Sequence, residues 1–438
     1  MAKDLAWGRL FDWPQPQTRI GWRDQSIEQL KGTHNSVLAH GLGRSYGDVP
    51  LNREGLLIST RGLDRFIEFD TQTGELTAEA GISLGQILTL SVPRNWFLPV
   101  TPGTKYVTLG GAVANDVHGK NHHSAGTFGC HVKHFTLKRS TGETLLCSPT
   151  SNQELFCATI GGLGLTGLIT AVCVQLKPVQ SPWMSVESIR YDNFEQFCEL
   201  SKAASLTHEY TVAWVDAMAK PPHLGRGLFL AANHASHSYH TGQDPFELRK
   251  PRLQVPFDLP NFCLNSVSIR AFNFAYRNQQ QVRQRSLVQH FNPYFYPLDS
   301  IGHWNRIYGR RGFYQYQCAV PAEPALMRAI MLKIANAASG SFLTVLKEFG
   351  HVQSPGLLSF PMPGFTFALD FANQGQSTLK LLQELDELVI DGGGRVYPAK
   401  DARMTQQAFA QFFPEFERFS DSIDPGFSSS FYQRIKPQ

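Results

Sequence analysis

The sequence predicts an α+β chain of two domains, and three observations carry that reading. Residues 1–180 are punctuated by glycine and read as short strands alternating with short helices. Lys177-Pro178-Val179-Gln180-Ser181-Pro182 then interrupts any regular element and separates residues 1–180 from 181–438. Beyond it, apolar strand runs alternate with helical stretches, the pattern of an antiparallel sheet with helices packed on it. The 438 residues, 42% hydrophobic and 17% charged, supply enough apolar surface for large cores. They exclude a disordered, collagenous or coiled-coil chain.

Each element has a local reason. Glu75 to Ala80 is strand-like, and Gly81 ends it. Ser83 followed by Gln86 forms a capping box, so a helix runs through Ile87 and Leu90. Thr108 is placed to cap a second helix rich in small residues. His134 to Arg139, the turn Ser140-Thr141-Gly142, and Glu143 to Cys147 read as a β-hairpin. Ser151 is expected to cap a short helix through Leu155 and Ala158, with a β-rich run from Leu168 to Leu176 after it. In the second half, Thr211 to Val215 and Phe313 to Val320 predict strands, while Pro324 to Ala338 and Thr378 to Ile390 predict helices. Residues 233–292 read as loop and carry Arg249, Lys250, Arg252, Arg277, Arg283 and Arg285. These charges are either a solvated face or contacts for anionic lipid.

Several function classes drop out. A net charge of +4, from 40 basic and 36 acidic residues, is too slight for a nucleic-acid partner, and none is expected. Seven scattered cysteines without a CxxC pair predict free thiols in a reducing compartment. The start Met1-Ala2-Lys3-Asp4 leads into no apolar export segment, and the run Leu163 to Leu176 is too short to span a bilayer. The expectation is a cytoplasmic protein, at most attached to a membrane surface.

Two segments carry the strongest chemical signal. In His40-Gly41-Leu42-Gly43-Arg44-Ser45-Tyr46-Gly47-Asp48, three glycines let the backbone turn with its N–H groups inward. The result is a cradle for an anion such as a pyrophosphate, or an ordinary surface turn. Thr101-Pro102-Gly103-Thr104 is a second turn, followed by the small-residue stretch Thr108 to Lys120. Two such donor-rich segments, about 60 residues apart, suit a long ligand with a pyrophosphate in its middle. Gly162-Leu163-Gly164-Leu165-Thr166-Gly167 matches GxGxxG, but a helix precedes it and a strand follows, the reverse of a dinucleotide fingerprint. His118, His122, His123, His131 and His134, with Cys130, lack metal-ligand spacing, because Asn121, Ser124, Gly126 and Gly129 break any helix; no metal is expected. Lys400, three residues after Tyr397, is a surface charge or, in a closed site, a group that stabilises an alkoxide or takes its proton. Gln315 and Gln317 alternate along a strand and share a face, either over a polyhydroxylated ligand or toward water.

Taken together, these segments resemble the vanillyl-alcohol-oxidase type of FAD-dependent oxidoreductases with a PCMH-type FAD-binding domain. Within that superfamily they look most like the branch that oxidises polyprenyl-phosphoryl-riboses. The resemblance runs from about Ala39 to Arg403. Its most specific strings are His118-Gly119-Lys120-Asn121-His122-His123-Ser124-Ala125-Gly126, Gln315-Tyr316-Gln317 and Ala399-Lys400-Asp401, with Tyr296-Pro297-Leu298-Asp299 between them.

The resemblance implies an FAD-binding domain over residues 1–180 and an antiparallel-sheet substrate domain over 181–438, with Tyr397 and Lys400 returning to the flavin. FAD would touch Ala39, His40, Gly41, Leu42, Gly43, Arg44, Ser45, Tyr46, Gly47, Asp48 and Val49 in the first segment. It would also touch Gly103, Thr108, Leu109, Gly110, Gly111, Asn115, Asp116, Val117, His118, Ile169 and Tyr397. Gln315, Gln317, Lys347 and Lys400 would line the sugar pocket, with Lys400, Tyr46 and His118 as the catalytic groups. Many relatives attach the flavin through a histidine where Arg44 stands, so the FAD here is expected to be dissociable. The implied reaction is oxidation of the ribose 2′-hydroxyl to the ketone, the first half of an epimerisation to an arabinose donor for cell-wall arabinan. A separate NAD(P)H-dependent reductase would complete it, with peripheral contact at the inner membrane. An oxidase of a free alditol, sugar or aldonolactone is the alternative. One departure is Ala368, where actinobacterial members carry a cysteine; it leaves the pocket's shape open.

Overall fold

Three short strands open the chain: β1 (Gln17–Arg19), β2 (Val37–His40) and β3 (Leu56–Ser59) form a parallel sheet in the order β1-β3-β2. The computed structural model describes residues 1–236, 251, 253–260, 263–338 and 340–436. A second sheet is antiparallel. It contains β4 (Phe66–Phe69) and β5 (Glu75–Glu79), which precede helices α1 (Leu84–Ser91) and α2 (Leu109–Ala114). The sheet continues with β6 (Val132–Lys138) and β7 (Thr144–Cys147), then helix α3 (Gln153–Thr159) and β8 (Leu168–Gln175), in the order β4-β5-β8-β6-β7. Central β8 is buried along seven of its eight residues, which explains its continuous apolar run.

The second half is built on one eight-stranded antiparallel sheet. In chain order it comprises β9 (Trp183–Tyr191), α4 (Phe194–Ala204), β10 (Tyr210–Val215), β11 (Gly227–His234), α5 (Ser266–Asn278) and β12 (Gln284–His290). It continues through β13 (Phe313–Val320), α6 (Pro324–Asn336), β14 (Thr344–Phe349), β15 (Gly364–Ala372), α7 (Gln376–Asp391) and β16 (Arg395–Val396), in the sheet order β12-β9-β11-β10-β14-β15-β13-β16. Side chains alternate across it. Tyr316 and Cys318 of β13 and Phe365, Phe367, Leu369 and Phe371 of β15 join Phe194, Phe197, Ile330 and Leu385 of the helices in one core. The intervening residues, Gln315, Gln317, Thr366, Ala368 and Asp370, face the other way, into a cavity. Helices α4, α6 and α7 thus lie on one face of the sheet, and α5 lies toward the cavity side. A second core joins the antiparallel sheet of the first half to one end of the large sheet through Met184, Val186 and Tyr210.

The last segment returns to the beginning. Val37 N–H donates to Gly426 O at 2.8 Å, and Phe427 packs with Val37 and Ile58. Helix α8 (Ser430–Ile435) points Arg434 at Asp48. Among the described residues, no helix is long and apolar enough to cross a membrane.

Most local expectations hold. The capping box at Ser83 and Gln86 forms, Thr108 accepts from Gly111 N–H, and the hairpin is β6-β7. Three do not. Residues 233–292 are not simply loop, since they contain α5 and β12; Arg249, Lys250 and Arg252 lie outside the described residues. The cap of α3 is Asn152, not Ser151; Asn152 takes a left-handed φ of 48° while its amide donates to Leu146 O. The stretch Asn121 to Gly126 holds a single helical turn, His122–Ala125, despite its helix breakers.

Candidate active site

A cavity of about 1070 Å³ lies between the two halves. Its first wall is the pair of glycine segments. Ala39 of β2 lines it, with Gly41, Leu42, Gly43, Arg44, Ser45, Tyr46 and Val49 from the loop that follows. Gly103, Thr108, Gly110, Gly111, Asn115, Val117 and His118 line it from α2 and its flanks, and Ile169 from β8. Glycine is required at Gly43, where φ is +61° and a Cβ would lie 2.6 Å from Leu5 O. Helix α2 is set against β5 by the bond from Gly110 N–H to Ala80 O, with the Ala80 methyl 2.9 Å from where a Gly110 Cβ would be.

Five expected contacts do not reach the cavity. His40 sits behind the loop, its Nε2 3.0 Å from Leu5 O. Gly47 packs on the Asp401 carbonyl, leaving no space for a Cβ. Asp48 pairs with Arg434 at 2.6 Å, and Leu109 is in the core. Asp116 is buried and accepts from Gly129 N–H, Ser354 Oγ and Ser359 Oγ. These residues hold the wall in shape from behind.

The second wall is the free face of the large sheet. Gln317 Nε2 lies 2.8 Å from His118 Nε2 and 3.2 Å from Thr366 Oγ1, so the amide bridges the two halves. Gln315 donates to Asp370 Oδ1 at 2.7 Å, and Lys347 Nζ donates to Gly119 O at 3.1 Å. After β16 the chain turns: Tyr397 N–H donates to Gln317 O, its hydroxyl donates to Asn115 O, and Ala399 O accepts from Tyr46 N–H. That turn sets the Lys400 ammonium 4.0 Å above the Tyr46 ring. Every residue expected around the sugar therefore meets on one cavity: Tyr46, His118, Gln315, Gln317, Lys347, Tyr397 and Lys400.

The electrostatics follow from enclosure. Burial lowers the Lys400 pKa to about 8, with Asp370 opposing the shift. Burial also lowers Lys347 to about 7, and the Lys400 charge adds to the effect. Lys120 falls to about 7 for the same reasons, burial first and then Lys347. His118 is held well below the usual imidazole range, mainly by burial and then by Lys347, so it is neutral. Asp370 is pushed up to about 7 by burial, against the Gln315 hydrogen bond and Lys400.

Sequence reasoning missed two of these elements. Asp370, 1% exposed and bonded to Gln315 and Tyr308, stands in a strand reading Phe-Ala-Leu-Asp-Phe-Ala. Trp7 brings the N-terminal segment over the first loop, its ring 4.3 Å from the Arg44 guanidinium. The alternation of apolar neighbours marks Asp370 as facing away from the helices; nothing local marks Trp7.

The histidines do other work. His123 Nε2 lies 3.1 Å from His208 O, His131 Nε2 lies 2.9 Å from Ala125 O, and His122 packs on Phe349. Among the described residues no group of His, Cys, Asp or Glu side chains is arranged to hold a metal ion.

The cavity suits a long dinucleotide. Beyond its size and its glycine-lined wall, buried Asn115 Oδ1 and His118 Nδ1 have no hydrogen-bond partner among the described residues, leaving polar atoms for a ligand to satisfy. Nothing lies within 4 Å of where a Gly103 Cβ would project.

Comparison with known proteins agrees with this geometry. Residues 26–148 match the FAD binding domain family. The chain is 36% identical over 414 residues to decaprenylphosphoryl-β-D-ribose oxidase of Mycolicibacterium smegmatis, covering 91% of this chain and 89% of that protein. It is 32% identical to an uncharacterized protein of Streptomyces coelicolor, over 81% of this chain and all of that one. L-gulonolactone oxidase of Scyliorhinus torazame matches only 35% of the chain and 34% of its own length, at 30% identity. The chain belongs to the decaprenylphosphoryl-β-D-ribose oxidase family and is an FAD-dependent oxidoreductase.

Proposed function

We propose that this enzyme oxidises the 2′-hydroxyl of a polyprenyl-phosphoryl-ribose to the 2′-ketone. The observation that carries the reading is the convergence of Lys400, Tyr46, His118 and Gln317 on a cavity whose opposite wall is the glycine pair. The name of the Mycolicibacterium relative supports the substrate class. Residues 1–180 bind the cofactor and 181–438 the sugar, with the turn through Tyr397 and Lys400 belonging to both. When bound, FAD supplies the acceptor for the carbinol hydride.

The chain's own groups supply alignment and charge. The glycine segments and Arg44 hold the cofactor without a covalent bond, since a guanidinium offers no nucleophile for attachment. Lys400 carries the positive charge that stabilises the alkoxide as the hydroxyl proton passes to water. Tyr46 and neutral His118 hold the sugar hydroxyl in hydrogen bonds, and Gln315, Gln317 and Lys347 fix the rest of the ring. The ketone is then reduced by a separate NAD(P)H-dependent partner, giving the inverted alcohol.

Anaerobic mixing of the yellow enzyme with a short-chain polyprenyl-phosphoryl-ribose tests this. The visible flavin band bleaches on this reading. Bleaching by free alditols or aldonolactones but not by the phosphoryl-ribose overturns it in favour of a soluble-sugar oxidase.

A further inference from the structure

Helix α5 is half unpartnered. It buries Ile269 and Asn273, while Val267 is 74% exposed and Phe274 is 68% exposed. An aromatic series connects this helix to the active site. Tyr46 meets Phe313, Phe313 stacks on Tyr308, Tyr308 on Phe342, and Phe342 meets Phe272 of α5, with successive ring centroids 5.5, 4.1, 5.8 and 5.4 Å apart. Phe272 and Phe342 also line the cavity. The aromatic series from the sugar pocket therefore ends on the inward, cavity-lining face of α5.

The segment that carries this helix has charge of one sign. From Leu259 to Leu298 the chain carries four arginines and no acidic residue. Arg277 is spent on Asp192, at 2.5 Å, whereas Arg270, Arg283 and Arg285 are exposed. A second copy of the chain docking here would press these like charges together. A lipid surface with anionic headgroups complements both features, because apolar side chains enter the acyl boundary and arginines meet phosphates.

We propose that the outer face of α5, with Val267, Phe274 and the flanking Arg270, Arg283 and Arg285, is the surface on which the enzyme docks to an anionic bilayer. This rests on the polyprenyl-phosphate reading of the active site. Docking there sets α5, whose inward Phe272 ends the aromatic series, at the membrane, so the substrate's polyprenyl chain stays in lipid while its sugar reaches Tyr46. It also explains why large apolar side chains of α5 stand in solvent.

The test is co-sedimentation of the FAD-loaded full chain with vesicles of phosphatidylglycerol and phosphatidylcholine, against phosphatidylcholine alone. The enzyme should pellet with the mixed vesicles and be released by salt. Val267→Ser with Phe274→Ser should weaken binding by on the order of tenfold or more. Arg270→Ala with Arg283→Ala and Arg285→Ala should weaken it by on the order of a hundredfold, about fivefold for each arginine. Neither variant should change bleaching by a short-chain, water-soluble polyprenyl-phosphoryl-ribose. Wild-type protein that stays in the supernatant, or variants that bind like wild type, overturn the proposal. So does a dimer that Val267→Ser with Phe274→Ser dissolves, which assigns the face to a second copy. Vesicle binding without bleaching by the short-chain substrate leaves the surface standing and defeats the substrate reading instead.

Discussion

Lys400 is the residue on which the chemistry turns, and its surroundings set its pH dependence. The groups facing it are Tyr46 under the ammonium, Asp370 on β15 raising its pKa, and Lys347 on β14, itself lowered by Lys400. Its cationic form dominates below about 8, so the bleaching rate at saturating substrate should fall as pH rises through about 8. Lys400→Met should lower that rate by about 10²–10⁴-fold and abolish the alkaline limb. A rate that instead rises through this pH makes the neutral amine a base. Asp370→Asn removes the anion that favours the lysine cation, so the limb should move to lower pH while FAD stays bound. An unmoved limb would confine Asp370 to a structural part. His118 is argued differently: neutral and bonded to Gln317, it contributes no titration of its own near neutrality.

At the scale of elements, the active site depends on the return of the chain's last helix. Arg434 of α8 donates to Asp48 beside the first glycine loop and to Asp401 beside Lys400, at 2.6 and 3.1 Å. Both carboxylates are buried, so Arg434→Met leaves two uncompensated charges together and should cost about 3–5 kcal/mol in urea unfolding. An unchanged midpoint and slope would show that the helix is dispensable. Gly47→Ala should abolish FAD content, because its Cβ would sit 1.6 Å from Asp401 O and force the two segments apart. Elements with a local cause were legible in advance: Ser83 with Gln86, Thr108 with Gly111, and the turn at Ser140 to Gly142 act within a few residues. Helix α5 was not read, although Asn265 and Ser268 form a capping box at its start, a local signal of the same kind. Strand β12 was missed because it is an edge strand with Gln284, Arg285 and Ser286 exposed.

For the whole molecule, the candidate site was readable where its residues lie in contiguous strings and unreadable where distant segments meet. His40 to Asp48 and Thr108 to His118 announce a cradle by composition, and Gln315 with Gln317 by alternation. Trp7 over Arg44, and Asp370 behind Gln315, exist only once segments well separated in sequence are folded together. Arg44 bears on the molecule as a whole, since it decides whether cofactor and chain separate. Acid precipitation should release the yellow colour to the supernatant, and colour kept in the pellet would contradict a dissociable flavin. The account finally stands on the cavity between the two halves being a place where a sugar alcohol on a polyprenyl phosphate loses hydride to FAD. Anaerobic titration of the holoenzyme with polyprenyl-phosphoryl-ribose, followed by visible absorbance, measures this directly. Stoichiometric loss of the flavin band, with the 2′-keto sugar recovered from the mixture, is the predicted result. A band that persists in saturating substrate, while free sugars or lactones bleach it, would contradict the account.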